Sequence, residues 1–118
     1  MTDPEQVLVH MCTREEWVNA QRVGQRIPDG FAAEGFVHLS TTRQVHLPAN
    51  RLFAGRRDLV LLHLDPGRLG AEVRWEPGVP SDPASMRFPH LYGPLPVSAV
   101  VEVTDYLPDS AGVFPPVA

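Results

Sequence analysis

Four short segments of this 118-residue chain carry polar side chains where packing alone favours apolar ones. Gly35-Phe36-Val37-His38-Leu39-Ser40-Thr41 reads as a short buried strand in which His38 alternates with Phe36 and Ser40 on one face, Val37 and Leu39 taking the other. An imidazole and a hydroxyl then stand together at a strand end. Ser40 and Thr41 precede a helical pattern whose free backbone N–H groups would converge on the same spot. His10 interrupts an otherwise apolar run at 7–12, His90 and Tyr92 sit in the aromatic and proline segment 88–94, and Glu76 lies at the end of an alternating strand. Imidazole, hydroxyl, phenol and carboxylate are groups that orient a polar ligand, move protons or stabilise a developing cation. The plainer reading of each is structural: a hydrogen-bonded core histidine, or a helix cap.

Other chemistries are less well served. His10, His38, His90 and Glu76 are zinc-ligand types, but none of the tight local spacings of a zinc site is present, and no metal centre is expected. Cys12 or Ser40 as a nucleophile lacks the strained-turn context, such as Gly-x-Ser-x-Gly, that exposes one. His46 on a helix and His63 within a strand are explained by their elements. Trp17 and Trp75 are expected in the core rather than as ligand platforms.

The elements that must position these groups can be read in order. Residues 7–12 form a first, central strand. Thr13-Arg14-Glu15-Glu16 is a capping box, in which the Thr and Glu side chains satisfy each other's orphan backbone donors. It opens a helix over 14–23 that turns Trp17 and Ala20 inward and stops at Gly24. Residues 25–34, with Ile27-Pro28-Asp29-Gly30, have turn chemistry. Helical spacing returns over 42–53, where Pro48 predicts a kink or a split. Strands follow at 58–64 and 72–77, a loop able to act as a lid at 78–85, and a last strand at 97–106 with Val101 and Val103 opposite Glu102 and Thr104. The single domain is thus expected over 1–106, with 107–118 a poorly ordered proline-rich tail.

Composition bounds the function. A chain of this length can bury roughly two-thirds of its unfolded surface, enough for one core without metal or disulfide. Fourteen acidic against ten basic residues give a net charge of −4, which argues against broad nucleic-acid binding. All ten cations are arginine, so a few forked donors around a pocket remain available for a phosphorylated small molecule. A single Cys12, with neither a signal-like N-terminus nor a long apolar run, leads to the expectation of a cytoplasmic protein that does not enter a membrane; its oligomeric state is open.

Leu8-Val9-His10-Met11-Cys12-Thr13, the segment from Gly35 to Thr41, Ala49-Asn50-Arg51-Leu52-Phe53-Ala54-Gly55, Val73-Arg74-Trp75-Glu76 and Phe88-Pro89-His90-Leu91-Tyr92-Gly93-Pro94-Leu95 together resemble the small bacterial proteins grouped as domain of unknown function 952. The resemblance runs from about residue 7 to residue 106. More distantly, the first strand's His10-x-x-Thr13 and the second strand's Val37-His38-Leu39-Ser40 are similar to the NAD-binding strands of the ADP-ribosyltransferase fold, the RNA 2′-phosphotransferases above all. That resemblance implies an NAD site and carries over His10, His38 and Ser40; together with the residue types read above it leads to the expectation of His10, Thr13, Ser40, Thr41, His90 and Tyr92 toward the ligand. His38 and Glu76 would be catalytic, Glu76 stabilising the ribosyl cation as nicotinamide leaves. The phosphotransferases also use further arginines and a winged-helix domain that this sequence does not include.

These readings lead to an α+β fold of two small, mainly antiparallel split sheets, about five to seven strands and two or three short helices, ADP-ribosyltransferase-like. Helical patterns are confined to the first half, against a doubly wound parallel sheet. The expected function is binding of NAD or an ADP-ribose-containing compound, with possible transferase chemistry. The alternative is a noncatalytic small-ligand binding or interaction module.

Overall fold

The apolar runs of the chain are too short to make one large sheet and too regular to be loops, and they are resolved into small antiparallel sheets. The computed structural model describes residues 7–78 and 86–117. The expected loop at 78–85 falls, apart from Gly78, outside the described residues, as does the N-terminal segment 1–6. Along the chain run β1 (Leu8–Thr13), α1 (Arg14–Val23), β2 (Gln25–Arg26), α2 (Phe31–Glu34), β3 (Val37–His38), β4 (Ser40–Thr41) and α3 (His46–Phe53). They are followed by β5 (Leu59–Leu64), β6 (Val73–Pro77), β7 (Arg87–Leu91), β8 (Leu95–Pro96) and β9 (Val100–Tyr106), with single 3-10 turns at Pro66–Arg68 and Val97–Ala99. Sheet orders are β4-β1-β5-β9, β3-β7-β6 and β2-β8, and every pairing is antiparallel. This is a small α+β domain with three helices, and no described helix is long and apolar enough to cross a membrane.

The four-stranded sheet is the central layer because β1 and β5 are buried on both faces. One face, through Leu8, Cys12, Val60, Leu62 and Leu64, packs against Val37 and Leu91 of the three-stranded sheet, with Trp17 of α1 alongside. The other, through Val9, Leu59 and Leu61, packs under Val45, Ala49, Tyr106 and Phe114. The capping box of α1 forms as expected, and Gly24 ends the helix at φ 94°, a left-handed conformation that glycine adopts without a Cβ clash.

Several expectations are corrected, beginning with the count: the described residues form nine strands in three sheets, against about five to seven in two. The organising stretch is two strands in two sheets. Val37 and His38 pair with Leu91 and His90 of β7, whereas Ser40 and Thr41 pair with Val9 and Leu8 of β1. Leu39 is the crossover, its N–H bonded to the Pro89 carbonyl at 3.0 Å. Residues 25–34 include a short strand and one helical turn, because β8 offers β2 a partner. Pro48 neither kinks nor splits a helix. α3 begins at His46, so Pro48 lies in the first turn, where a backbone N–H has no helical partner to lose. Trp75 is 43% exposed, at the edge of the three-stranded sheet, instead of in the core. Val101 and Val103 are exposed because β9 is likewise an edge.

The segment after Tyr106 is packed, against the expectation of a poorly ordered tail. Phe114 is 1% exposed and lies against Tyr106, with ring centroids 4.9 Å apart. Asn50 fixes it from α3 through both amide atoms, donating to the Phe114 carbonyl at 3.0 Å and accepting the Phe114 N–H at 2.7 Å. The Tyr106 hydroxyl donates to the Pro115 carbonyl. Replacing Phe114 with Ala is expected to cost about 3–5 kcal/mol. Replacing neighbouring Val113, which is exposed, should stay within about 0.5 kcal/mol. Urea melts of both variants provide the check, and an unchanged midpoint for Phe114→Ala would show that the segment does not stabilise the fold.

Candidate functional site

β4 is only two residues long and pairs with β1 at Leu8 and Val9 alone. From His10 onward no strand among the described residues lies beside that edge of β1, because the chain has already crossed to the three-stranded sheet through β3. A cavity of about 360 Å³ opens there. His10, Met11 and Ser40 line it from the central sheet, and His38, Phe88 and Gly78 from the side of the three-stranded sheet. α3 adds Pro48, Arg51, Leu52 and Phe53, and the connections around β2 and α2 add Arg26, Pro28 and Glu34. Leu39, at the crossover, completes the wall.

The polar part of this wall is a chain of bonds that starts at the cap of α1. Thr13 donates its N–H to Glu16 Oε1 at 2.8 Å, and its hydroxyl accepts the Glu16 N–H. The other carboxylate oxygen of Glu16 accepts from an Arg26 guanidinium nitrogen at 3.2 Å, and Arg26 Nε donates to His10 Nε2, also at 3.2 Å. With Nε2 accepting, the imidazole proton sits on Nδ1, which donates to the His38 carbonyl at 2.8 Å. Burial, reinforced by the Arg26 charge, pushes His10 down to about 4, so it is a neutral hydrogen-bonding group at physiological pH. Burial pushes Glu16 up, but the Thr13 N–H bond and the Arg26 charge outweigh it and hold the carboxyl below its ordinary range.

A second polar assembly stands on the outward face of the three-stranded sheet. His90 is almost fully buried, stacked on Phe36 with centroids 4.0 Å apart and planes 7° apart. Its Nδ1 donates to Glu76 Oε1 at 3.0 Å, and the Tyr92 hydroxyl donates to the same oxygen at 2.5 Å. Those two bonds, from Tyr92 first and His90 second, hold Glu76 below the usual carboxylate range, and the Tyr92 phenol is raised by the same contact. The Arg74 guanidinium lies over the Tyr92 ring, 4.3 Å from its centroid. His38 joins the two assemblies: its carbonyl holds His10, its imidazole bonds Glu34 at 2.9 Å, and its ring meets Phe36 and His90 edge-on.

Of the residues singled out by sequence, His10, His38 and Ser40 therefore share the cavity. Thr13 is committed to the α1 cap, and Thr41 is buried beside the cavity without lining it. Glu76, His90 and Tyr92 form their own cluster and are not among the lining residues. Arg26, Glu34 and Arg51 were not singled out. The two arginines were signalled only by the arginine-only cation content, and Glu34 by its place four residues before His38. Among the described residues no group of three or more His, Cys, Asp or Glu side chains is arranged around a metal position. Cys12 is buried, and burial pushes its thiol up to about 12, so it holds no thiolate for nucleophilic work. His63 is accounted for by its strand, bonding Thr104 across the β5–β9 pair.

The chain belongs to the family described as protein of unknown function (DUF952), which it matches over residues 11–103. The crystal structure of protein CC0527 from Caulobacter crescentus is 33% identical, covers 93% of this chain and 94% of that one, and superposes with a TM-score of 0.78. The solution NMR structure of CC0527 gives 35% identity, 91% and 90% coverage, and a TM-score of 0.74. No protein of curated function matches this chain.

The state of His10 has a consequence for stability. In the unfolded chain the imidazole takes up a proton near its ordinary pKa of 6.5, whereas folded His10 does so only near 4. The unfolded state thus binds more protons between those values. The contribution is complete above pH 6.5 and is lost as pH falls toward 4, to the extent of about 3 kcal/mol. Urea melts at pH 7 and pH 4.5 are expected to show this loss in the wild type and a shallower one in His10→Gln. Parallel pH profiles for the two proteins would rule the assignment out.

Proposed function

We propose that the cavity at the free edge of β1 binds a small anionic ligand with a flat ring, and that the ligand is NAD or another ADP-ribose-containing compound. The observation that carries this reading is the convergence of His10, His38 and Ser40, from three different strands, on one cavity that also holds Arg26 and Arg51. Its volume of about 360 Å³ falls within the range of small-molecule sites. Two arginines suit the oxygens of a phosphate, and Leu52, Phe53 and Phe88 supply apolar wall for a ring. The sequence resemblance of His10-x-x-Thr13 and Val37-His38-Leu39-Ser40 to NAD-binding segments of the ADP-ribosyltransferases is the reason for choosing NAD over other organic anions.

Within this reading His10 is an orienting group and not an acid or base, because both ring nitrogens are engaged and it stays neutral. Ser40 offers a hydroxyl at the same wall, and Arg26 offers a charge already held in place by Glu16. The competing reading is a binding module without turnover. It is favoured by the position of Glu76, which the lining does not include and which therefore does not stand against the ligand as a charge stabiliser.

Titration of the 15N-labelled protein with NAD is expected to shift the Leu39 and Ser40 amides. Arg26→Gln should weaken the affinity by about 10- to 100-fold, the loss of one charge-assisted hydrogen bond. Because Arg26 also supports His10, a thermal melt of the variant must accompany the titration. A folded protein whose spectrum is unmoved at millimolar NAD and ADP-ribose refutes the ligand assignment.

A further inference from the structure

Strand pairing places His38, His90 and Arg74 abreast on the outward face of the three-stranded sheet, with Glu76 opposite Phe88. On this face the Glu76 carboxylate accepts hydrogen bonds from the Tyr92 hydroxyl and from His90 Nδ1–H. An anionic acceptor on Nδ1 fixes the tautomer and leaves the lone pair on Nε2. His90 is 2% exposed, and its Nε2 is buried with no hydrogen-bond partner among the described residues. Buried acceptors are seldom left in this state, and a catalytic role is one of the explanations such a group calls for. Phe36, stacked on the imidazole, fixes the ring plane. Two neighbours of His90 on the same face, His38 across the pair and Phe88 two residues before it, belong to the cavity wall.

We infer that Glu76 and His90 form a carboxylate–imidazole dyad in which His90 Nε2 is the general base for an O–H nucleophile, water or a hydroxyl acceptor, directed at the ligand in the adjoining cavity. The inference rests on the ligand reading above and adds the chemistry of transfer to it. With NAD as substrate, the Nε2 lone pair takes the O–H proton as the oxygen forms a bond to the anomeric carbon of the nicotinamide ribose. The bond from that carbon to the nicotinamide nitrogen breaks, and its electron pair neutralises the pyridinium. The proton then leaves the imidazolium to water. Glu76 touches no reacting atom in this scheme and is a positioning residue, a different role from that of a charge stabiliser at the ribose.

Imidazole 15N correlation spectra of the histidine-labelled full chain, with and without NAD, and chromatographic measurement of nicotinamide release test the dyad. In the free wild type His90 is expected to carry its proton on Nδ1 with a pyridine-type Nε2, and NAD should shift the Nε2 resonance. His90→Gln should lower nicotinamide release by at least about 100-fold, the usual reach of a general base, while NAD affinity read from the Leu39 and Ser40 amides changes less than about threefold. Glu76 is partly exposed, so Glu76→Gln serves as a second variant even where His90→Gln fails to fold. It should lower release and reduce the fraction of His90 protonated on Nδ1. An Nε2-protonated His90, NAD binding without nicotinamide release, release that survives both variants, or an Nε2 that answers only to a bound water in both states overturns the dyad and leaves the binding reading standing. Failure of NAD to move any cavity amide overturns the ligand reading, and the dyad's role with it.

Discussion

A buried imidazole ties the four-stranded sheet of this protein to the three-stranded one. His10 lies on the central sheet and its Nδ1 proton is given to the backbone carbonyl of His38 on the other. Nε2 receives Arg26, and Arg26 receives its counter-charge from Glu16. Burying a guanidinium and an imidazole costs far more than burying apolar groups of the same size unless each donor and acceptor is matched. Matching is achieved here by four residues from β1, α1, β2 and β3. Loss of His10 would leave both the Arg26 Nε and the His38 carbonyl without their partner, at about 1–3 kcal/mol each. The cavity opens beside this bond, at the place where the pairing of β1 with β4 has already ended.

Local signals in the sequence were faithful where the physics is local. The capping box at Thr13 and Glu16, the glycine stop at Gly24 and the buried run from Leu59 to Leu64 all stand as read, because each depends on neighbours in the chain. The family resemblance likewise holds over the bulk of the chain. The stretch from Phe36 to Thr41 went astray for the opposite reason. Alternation shows which side chains share a face but carries no information on which strand lies alongside, and Leu39 hands the chain from β7 to β1 in the middle of an unbroken pattern. The error at the C-terminus has a similar origin. Prolines fix backbone without building helix or strand, yet Phe114 still needed a place in the core, and Asn50, sixty-four residues earlier, supplies its backbone partners.

The candidate site was legible in its strand residues and illegible in its loops. A histidine in an apolar strand is costly unless it is satisfied, which is why His10, His38 and His90 could be singled out. Arginines in turn regions carry no such contrast, so Arg26 looked ordinary until its burial against His10 was known. Nor could the sequence divide the polar residues into two assemblies. That division follows from register: His90 faces Arg74 and His38 across its strand, while Glu76, two residues along β6, turns its carboxylate back to the imidazole.

His38 sits at the border of the two assemblies and treats them differently. Its link to His10 uses the backbone carbonyl, is buried, and is independent of what the His38 side chain does. Its link to Glu34 is a hydrogen bond between two well-exposed side chains, a kind of contact that contributes at most about 1 kcal/mol in water. The inner wall of the cavity is therefore held by bonds that are expensive to break, and its outer edge by one that is cheap to exchange. A ligand carrying its own anion can compete with Glu34 for His38 at little cost to the fold. Neither the sheet-to-sheet bond nor the stacked Phe36–His90 pair has to be rebuilt to let it in.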